Sequence, residues 1–369
     1  MILKTIFRPS GGQTALLAAS DSYHNLLAAR FGQRFLGYRA AWARAAERLD
    51  PGGFPLSLDL AVNSGCQLSC VMCPLPGRDA RRGFKPMAPA LFESLMAQAS
   101  DYSLAALTLG LASEPLLHPK IDSMVKAAGQ AGIMDIRLGT NGAALSPPLI
   151  ERLIDSSLTR LEVSVDAART ETYAAVRPGG DFNKLKRSID HFLGERSRRG
   201  RELPLLRLSF LSLPINEGEL SAFLESWSAK ADLISVQKPI WFPGSALPEP
   251  ILPKPALPKP ALPKPALPKS ALDEPKGQSA PPQELFSGAI DEPLEEGFCV
   301  QPWQRLGVDY DGRLWPCCSW YGEELLGLGA DNLSIAKAWR SEAMETLRLA
   351  HLKGPLPGPC QECHSHGAF

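Results

Sequence analysis

From Phe54 to about Gly244 short apolar runs alternate with stretches of helical periodicity. The runs Leu56–Val62, Ala105–Leu111, Ile133–Leu138, Arg160–Val165, Leu205–Leu213 and Leu233–Gln237 have the length of buried strands. Between them, Leu91–Ala99, Ile121–Ala131, Pro148–Ser156, Phe182–Phe192 and Glu217–Ser228 repeat apolar residues three and four apart, which lines one helix face. Strand-then-helix order predicts parallel strands joined by crossover helices. Six such units fit an α/β fold, a partial (βα)6 TIM-like barrel; a closed eight-unit barrel takes ~250 residues, more than this stretch holds.

The flanks read differently. Over residues 1–54, Leu27, Phe31, Phe35, Tyr38, Trp42 and Ala45 predict one amphipathic helical extension. Arg30, Arg34, Arg39, Arg44 and Arg48 make it basic. Such a helix lies on a membrane surface or packs its stripe on the next domain; the second is the commoner use. Residues 245–296 form a Pro-rich linker in which LPKPA occurs three times and LPKSA once, between Leu252 and Ala271. Proline at that density excludes helix and central strand, leaving an extended, lysine-solvated segment or a dock for a proline-recognising partner. Residues 297–369 read as a small cysteine-rich α+β domain, and residues 55–244 as the barrel.

Charge narrows the function classes. The chain's 369 residues carry 39 basic and 39 acidic side chains. That balance argues against a surface built to grip nucleic acid. No apolar run is long enough for a membrane helix, and no secretory signal is legible, so a cytoplasmic protein is expected. Thiols stay reduced there, so the eight cysteines point to metal or catalysis rather than disulfides.

Cys66, Cys70 and Cys73 sit as C-x3-C-x2-C directly after the first predicted strand, on a loop at the barrel's C-terminal face. Three thiolates on one loop can bind three irons of a [4Fe–4S] cube and leave the fourth iron open. The competing assignment is zinc, which prefers four protein ligands, commonly in C-x2-C pairs.

This loop resembles that of the radical S-adenosylmethionine (radical SAM) superfamily. The resemblance implies a [4Fe–4S] cluster whose open iron holds S-adenosylmethionine and splits it reductively to a 5′-deoxyadenosyl radical, which takes hydrogen from a substrate. Met72 stands where the family often has an aromatic residue. Further segments are similar in order: Gly110–Pro119 with Glu114-Pro115, though Ser113 replaces a usual glycine; Thr140-Asn141-Gly142; and Ser164-x-Asp166 followed by Arg177-x-Gly-Gly. The resemblance implies cofactor contacts from Glu114, Asn141, Ser164, Asp166 and Arg177. Taken singly, these are also ordinary turns and caps.

In the tail, Cys299 and Cys317 flank an Asp311-Gly312 turn, and Cys360 and Cys363 form C-x2-C. Four thiolates suit an auxiliary [4Fe–4S] cluster or zinc. Cys360–His364 also matches the haem-attachment pattern, which leaves Cys299 and Cys317 unexplained. With Pro302-Trp303, Pro316-Cys317-Cys318, Asn332-Leu333 and Trp339, the segment resembles the SPASM or shorter twitch extension of radical SAM enzymes. That implies one auxiliary cluster, with Cys318 left over.

The expected activity is therefore that of a radical SAM oxidoreductase with an auxiliary cluster in electron transfer. Its expected partners are a small-molecule or peptide substrate and an electron donor such as flavodoxin or ferredoxin. A carbohydrate or cyclitol-like alcohol is the favoured substrate; a peptide maturase, an RNA methyltransferase and a non-catalytic iron–sulfur scaffold are the alternatives.

Overall fold

The computed structural model describes residues 5–6, 14–17, 20–73, 84–237, 298–317 and 334–365. Six parallel strands form its centre in sequence order: β3 (Ser57–Leu60), β4 (Ala106–Leu109), β5 (Asp135–Thr140), β6 (Arg160–Ser164), β7 (Leu205–Leu211) and β8 (Leu233–Gln237). Helices α3 (Pro89–Asp101), α4 (Ile121–Gln130), α5 (Pro147–Ile154), α6 (Thr170–Val176), α7 (Phe182–Arg198) and α8 (Leu220–Trp227) make the crossovers. This is the partial (βα)6 barrel expected. The short helix α6 was not expected; at seven residues it offers too few periods to stand out.

The helices form where their apolar stripes meet the strands. In α4, Ile121, Met124, Val125 and Ala128 are buried, and Pro147 opens α5 with its ring-fixed backbone. The Asp181 carboxylate accepts from the Lys184 N–H at 2.9 Å and caps α7. Outward-facing strand residues such as Ile136, Leu138, Leu161 and Leu206 join this core at zero to one per cent exposure. Each such side chain contributes roughly 1.5–3 kcal/mol.

The N-terminal region differs from the single helix expected. β1 (Thr5–Ile6) and β2 (Thr14–Leu17) form a hairpin whose second strand pairs antiparallel with β8. Two helices follow, α1 (Ser20–Phe31) and α2 (Gln33–Glu47), separated at Gly32, whose φ of +58° breaks the run. The predicted stripe is real but spans both helices. Leu27, Phe35 and Tyr38 pack on Ala106, Leu205 and Leu233, at the N-terminal end of the barrel strands. The arginines stay local: Arg34 donates to the Gly132 carbonyl at 3.1 Å, and Arg39 lies over Tyr38 and Trp42. The stripe therefore faces the next domain.

The tail is continuous with the barrel sheet. β9 (Arg305–Val308) pairs parallel with β3, and β10 (Leu314–Trp315) returns antiparallel through the Asp311-Gly312 turn. Without β9, β3 would be an open edge. Helices α9 (Ile335–Trp339), α10 (Glu342–Lys353) and α11 (Gly358–Ser365) complete the unit. Trp339 donates through Nε1 to the Pro51 carbonyl at 2.9 Å, and Arg348 donates to the Pro302 and Trp339 carbonyls at 3.0 Å each. The LPKPA repeats, Cys318 and Asn332-Leu333 lie outside the described residues. Among the described residues no helix is long and apolar enough to cross a membrane.

Candidate iron–sulfur and cofactor site

The parallel strands place their following loops at one end of the barrel, and every expected core-site residue lies there. Cys66, Cys70 and Cys73 are half-buried on the loop after β3. Their loop is tied to neighbouring loops: Ser69 N–H donates to Pro178 O at 3.0 Å and Val71 N–H to Val176 O at 3.1 Å. Two side chains address the sulfurs. Asn141 Nδ2 donates to Cys66 Sγ at 3.4 Å, and Arg177 Nη1 donates to Cys70 Sγ at 3.6 Å. Burial pushes both thiols above their ordinary pKa, opposed at Cys66 by the Leu68 N–H and at Cys70 by the Arg177 charge.

Glu114 serves the frame. Its carboxylate accepts from Thr140 Oγ1 at 2.6 Å, Leu116 N–H at 3.1 Å and Asn141 N–H at 2.8 Å. Its own N–H donates to Gly65 O at 2.9 Å, so it joins three loops. Burial raises its pKa, against those three donors. Asn141 thereby acquires a fixed orientation, and its Oδ1 also accepts from Ala143 N–H at 2.9 Å. Gly142 follows at φ +74°, where a Cβ would collide with Leu185 Cδ1. That explains the glycine of the Thr-Asn-Gly turn.

Asp166 also sits at positive φ, +59°. It accepts from Leu211 N–H at 2.7 Å through Oδ1 and from Arg177 Nη2 through Oδ2. Burial opposes the charge of Arg177, but Asp166 and the Cys70 sulfur outweigh it and hold the guanidinium above its ordinary pKa. Ser164 lies one layer inside, its hydroxyl 3.5 Å from that of Ser209. His118, in the Glu114 segment, is buried, and its Nδ1 accepts from Lys120 N–H at 3.2 Å. The reading missed Thr140 as the clamp on Glu114 and Glu219 as the clamp on the β6–α6 loop. Glu219 accepts from Ala168 N–H at 2.7 Å, Arg169 N–H at 3.1 Å and the Thr172 hydroxyl. No motif spacing signals such long-range partners.

In the tail, Cys299, Cys317, Cys360 and Cys363 are buried. Two flank the β9–β10 hairpin and two lie on α11. Among the described residues no three His, Cys, Asp or Glu side chains converge closely enough to hold one metal ion. The fold delivers each thiol set to one loop or one small unit without drawing it to a point.

The donor chemistry nevertheless fits iron–sulfur ligation, which takes thiolates. At the barrel mouth the buried Ser113 Oγ and Arg177 Nε have no hydrogen-bond partner, which suits a polar ligand there. The family model of the radical SAM superfamily matches residues 60–199. That of the SPASM iron–sulfur cluster-binding domain matches residues 299–364.

The chain belongs to the radical SAM superfamily. It is a radical SAM enzyme with a C-terminal SPASM domain, and its cofactors are S-adenosylmethionine and [4Fe–4S] clusters, one of them auxiliary. It is 27% identical over 173 residues to the probable GTP 3′,8-cyclase of Methanocaldococcus jannaschii, covering 46% of this chain and 54% of that one. It is 28% identical over 176 residues to the GTP 3′,8-cyclase of Chlorobaculum tepidum, covering 45% and 48%. The chain thus matches about half the length of these curated relatives. Among solved structures it is similar to Streptococcus suis SuiB bound to the precursor peptide SuiA, with TM-score 0.59, 14% identity, and coverage of 85% of this chain and 71% of that one. The same protein bound to S-adenosylmethionine gives TM-score 0.57 at 16% identity, with coverage of 90% and 74%. At that identity the likeness is one of fold.

Proposed function

We propose that this radical SAM enzyme oxidises a polar small-molecule substrate by hydrogen-atom abstraction, with Cys66, Cys70 and Cys73 holding the SAM-binding cluster and Cys299, Cys317, Cys360 and Cys363 the auxiliary one. When bound, the first cluster supplies the electron that cleaves S-adenosylmethionine to methionine and the 5′-deoxyadenosyl radical, and the auxiliary cluster supplies electron transfer. The observation that carries this is the placement of three thiols on the loop after β3, with the Cys66 and Cys70 sulfurs addressed by Asn141 and Arg177.

The chain's own groups have distinct tasks. Asn141 and Arg177 place N–H donors on Cys66 and Cys70, which stabilises thiolate against the cost of burial. Glu114 and Thr140 position Asn141. Asp166 fixes Arg177 Nη2, and the buried Nε of that arginine, which has no partner, is available to the carboxylate of the methionine moiety. Ser164 supplies a hydroxyl one layer below, toward the ribose or substrate. A cluster held by Cys66, Cys70 and Cys73 would take its electron from a donor such as flavodoxin or ferredoxin. A carbohydrate or cyclitol-like alcohol suits a net two-electron oxidation, for which an auxiliary cluster held by Cys299, Cys317, Cys360 and Cys363 would supply the acceptor of the second electron.

The test is anoxic reconstitution with iron and sulfide, reduction, and assay of 5′-deoxyadenosine. The wild type forms it, and Cys70→Ala does not. Absence of 5′-deoxyadenosine from a wild-type protein that carries its clusters overturns the reading.

A further inference from the structure

The barrel lumen is charged at mid-depth. Along β5, β6 and β7 the positions Ile136, Leu138, Leu161, Val163, Leu206 and Leu208 join the apolar core under the helices. The alternate positions Arg137, Glu162 and Arg207 therefore face the lumen. Below them the lumen is closed, because Ala106, Leu205 and Leu233 pack on Leu27 and Phe35 of the N-terminal helices. Above them stand Ser164 and Ser209, with hydroxyls 3.5 Å apart; Gly139, level with Glu162 in the sheet register, has no side chain. The approach to this layer is from the end that carries the cluster loop.

The layer holds more positive charge than its carboxylates match. Arg137, Arg160, Arg207 and Arg305 face Asp59, Asp135 and Glu162; Asp59 pairs with Arg305 at 3.2 Å, and its Oδ1 is buried without a hydrogen-bond partner. Asp135 already accepts the Tyr23 hydroxyl at 2.5 Å and lies 3.8 Å from Arg160. One oxygen of Glu162, Oε2, serves both Arg137 and Arg207, at 3.4 Å each. A single oxygen cannot engage two guanidinium forks in bidentate fashion. Accordingly the Nε atoms of Arg137 and Arg207 are buried without a hydrogen-bond partner, and so is the Ser235 hydroxyl on β8, beside Ser209. Burial holds Arg207 down at about 10 even with Glu162 beside it, as expected of an under-compensated cation. Arg137 keeps 28% of its side chain accessible. Buried donors with no partner and surplus positive charge are the features of a site that completes its hydrogen bonds on an anion.

We infer that Arg137 and Arg207, on the floor of the lumen below Ser164, form a recognition site for an oxyanion, a phosphate or carboxylate, carried by the substrate. This rests on the reading that the radical acts on a substrate lying over the barrel mouth, and it names the substrate's chemical class. The site anchors the oxyanion at depth, and the remainder of the substrate rises past Gly139 and Ser164 toward the cluster loop. Arg137 and Arg207 are binding and positioning residues; neither touches the reacting atoms.

The test is calorimetric titration of the full-length, reconstituted protein with inorganic phosphate and, separately, with acetate, at low ionic strength. Saturable binding of one anion per chain is expected. Arg137→Met and Arg207→Met each weaken it about tenfold or more, and Arg152→Met, on the exposed face of α5, does not. Tighter binding of phosphate assigns a phosphorylated substrate, and tighter binding of acetate a carboxylate. Should a methionine variant fail to fold, Arg137→Lys and Arg207→Lys keep the charge but lose the fork, and weaken binding less. Absence of binding by the wild type, or equal affinity in wild type and folded variants, overturns the inference. The titration needs neither reductant nor turnover. A protein that forms 5′-deoxyadenosine but binds no anion sinks this inference alone; one that binds the anion but forms no 5′-deoxyadenosine sinks the radical reading.

Discussion

Glu162 shows how much one lumen residue decides. Burial alone would raise its pKa, but Arg207, Arg137 and Arg160 outweigh that and bring it from 4.5 to about 2. A carboxyl lowered on folding stabilises the protein fully above its unfolded pKa, and that contribution is lost as pH falls from ~4.5 through about 2. The shift corresponds to about 3 kcal/mol. Urea denaturation at stepped pH should show this acid-side loss in the wild type. Glu162→Gln should be less stable at pH 7 and should lack that part of the acid-side slope. Equal slopes in the two proteins would contradict the assignment. The cysteine spacing was legible because Cys66, Cys70 and Cys73 lie on one short loop. The lumen charges were also in the sequence, as single polar residues inside Ile-Arg-Leu, Leu-Glu-Val and Leu-Arg-Leu. Nothing local says that these three positions meet.

Among the elements, the turn after β5 depends on a single glycine. Gly142 takes a left-handed conformation and its missing side chain leaves room for Leu185. Gly142→Ala should lower the unfolding free energy by roughly 1–3 kcal/mol, from the positive φ and the forced shift of Leu185. Because Asn141 precedes it, the same change should also reduce cluster incorporation, measured as iron per chain. Unchanged stability would show that the turn relaxes freely. The barrel strands and crossover helices were readable from periodicity, apart from the short α6. The N-terminal hairpin was not, since β1 has two residues and gains its partner only from β2. The break between α1 and α2 hinges on Gly32 alone, and its neighbours continue the same apolar stripe.

For the molecule as a whole, the tail unit is fastened to the strand that leads into the cluster loop. β9 lies beside β3, and Ala61 N–H donates to Val308 O at 2.9 Å. Arg305 pairs with Asp59 at 3.2 Å and lies over Trp42, joining tail, barrel and N-terminal helices. The double variant Cys360→Ala, Cys363→Ala should cut bound iron from about eight atoms per chain to about four, and should abolish substrate oxidation. Full iron content or normal turnover in that variant would remove the auxiliary cluster from the mechanism.

The sequence alone determined the barrel, the three-cysteine loop and the family, because each is written in short-range terms: strand and helix periods, and thiols a few residues apart. Tertiary structure alone decided which groups address those thiols, that Glu114 uses its carboxylate on the frame, that the tail continues the barrel sheet, and that Arg137 and Arg207 share one oxygen of Glu162 in the lumen. These depend on contacts between residues tens to hundreds apart. Strand register and burial bring such residues together, and neither is encoded at any one position.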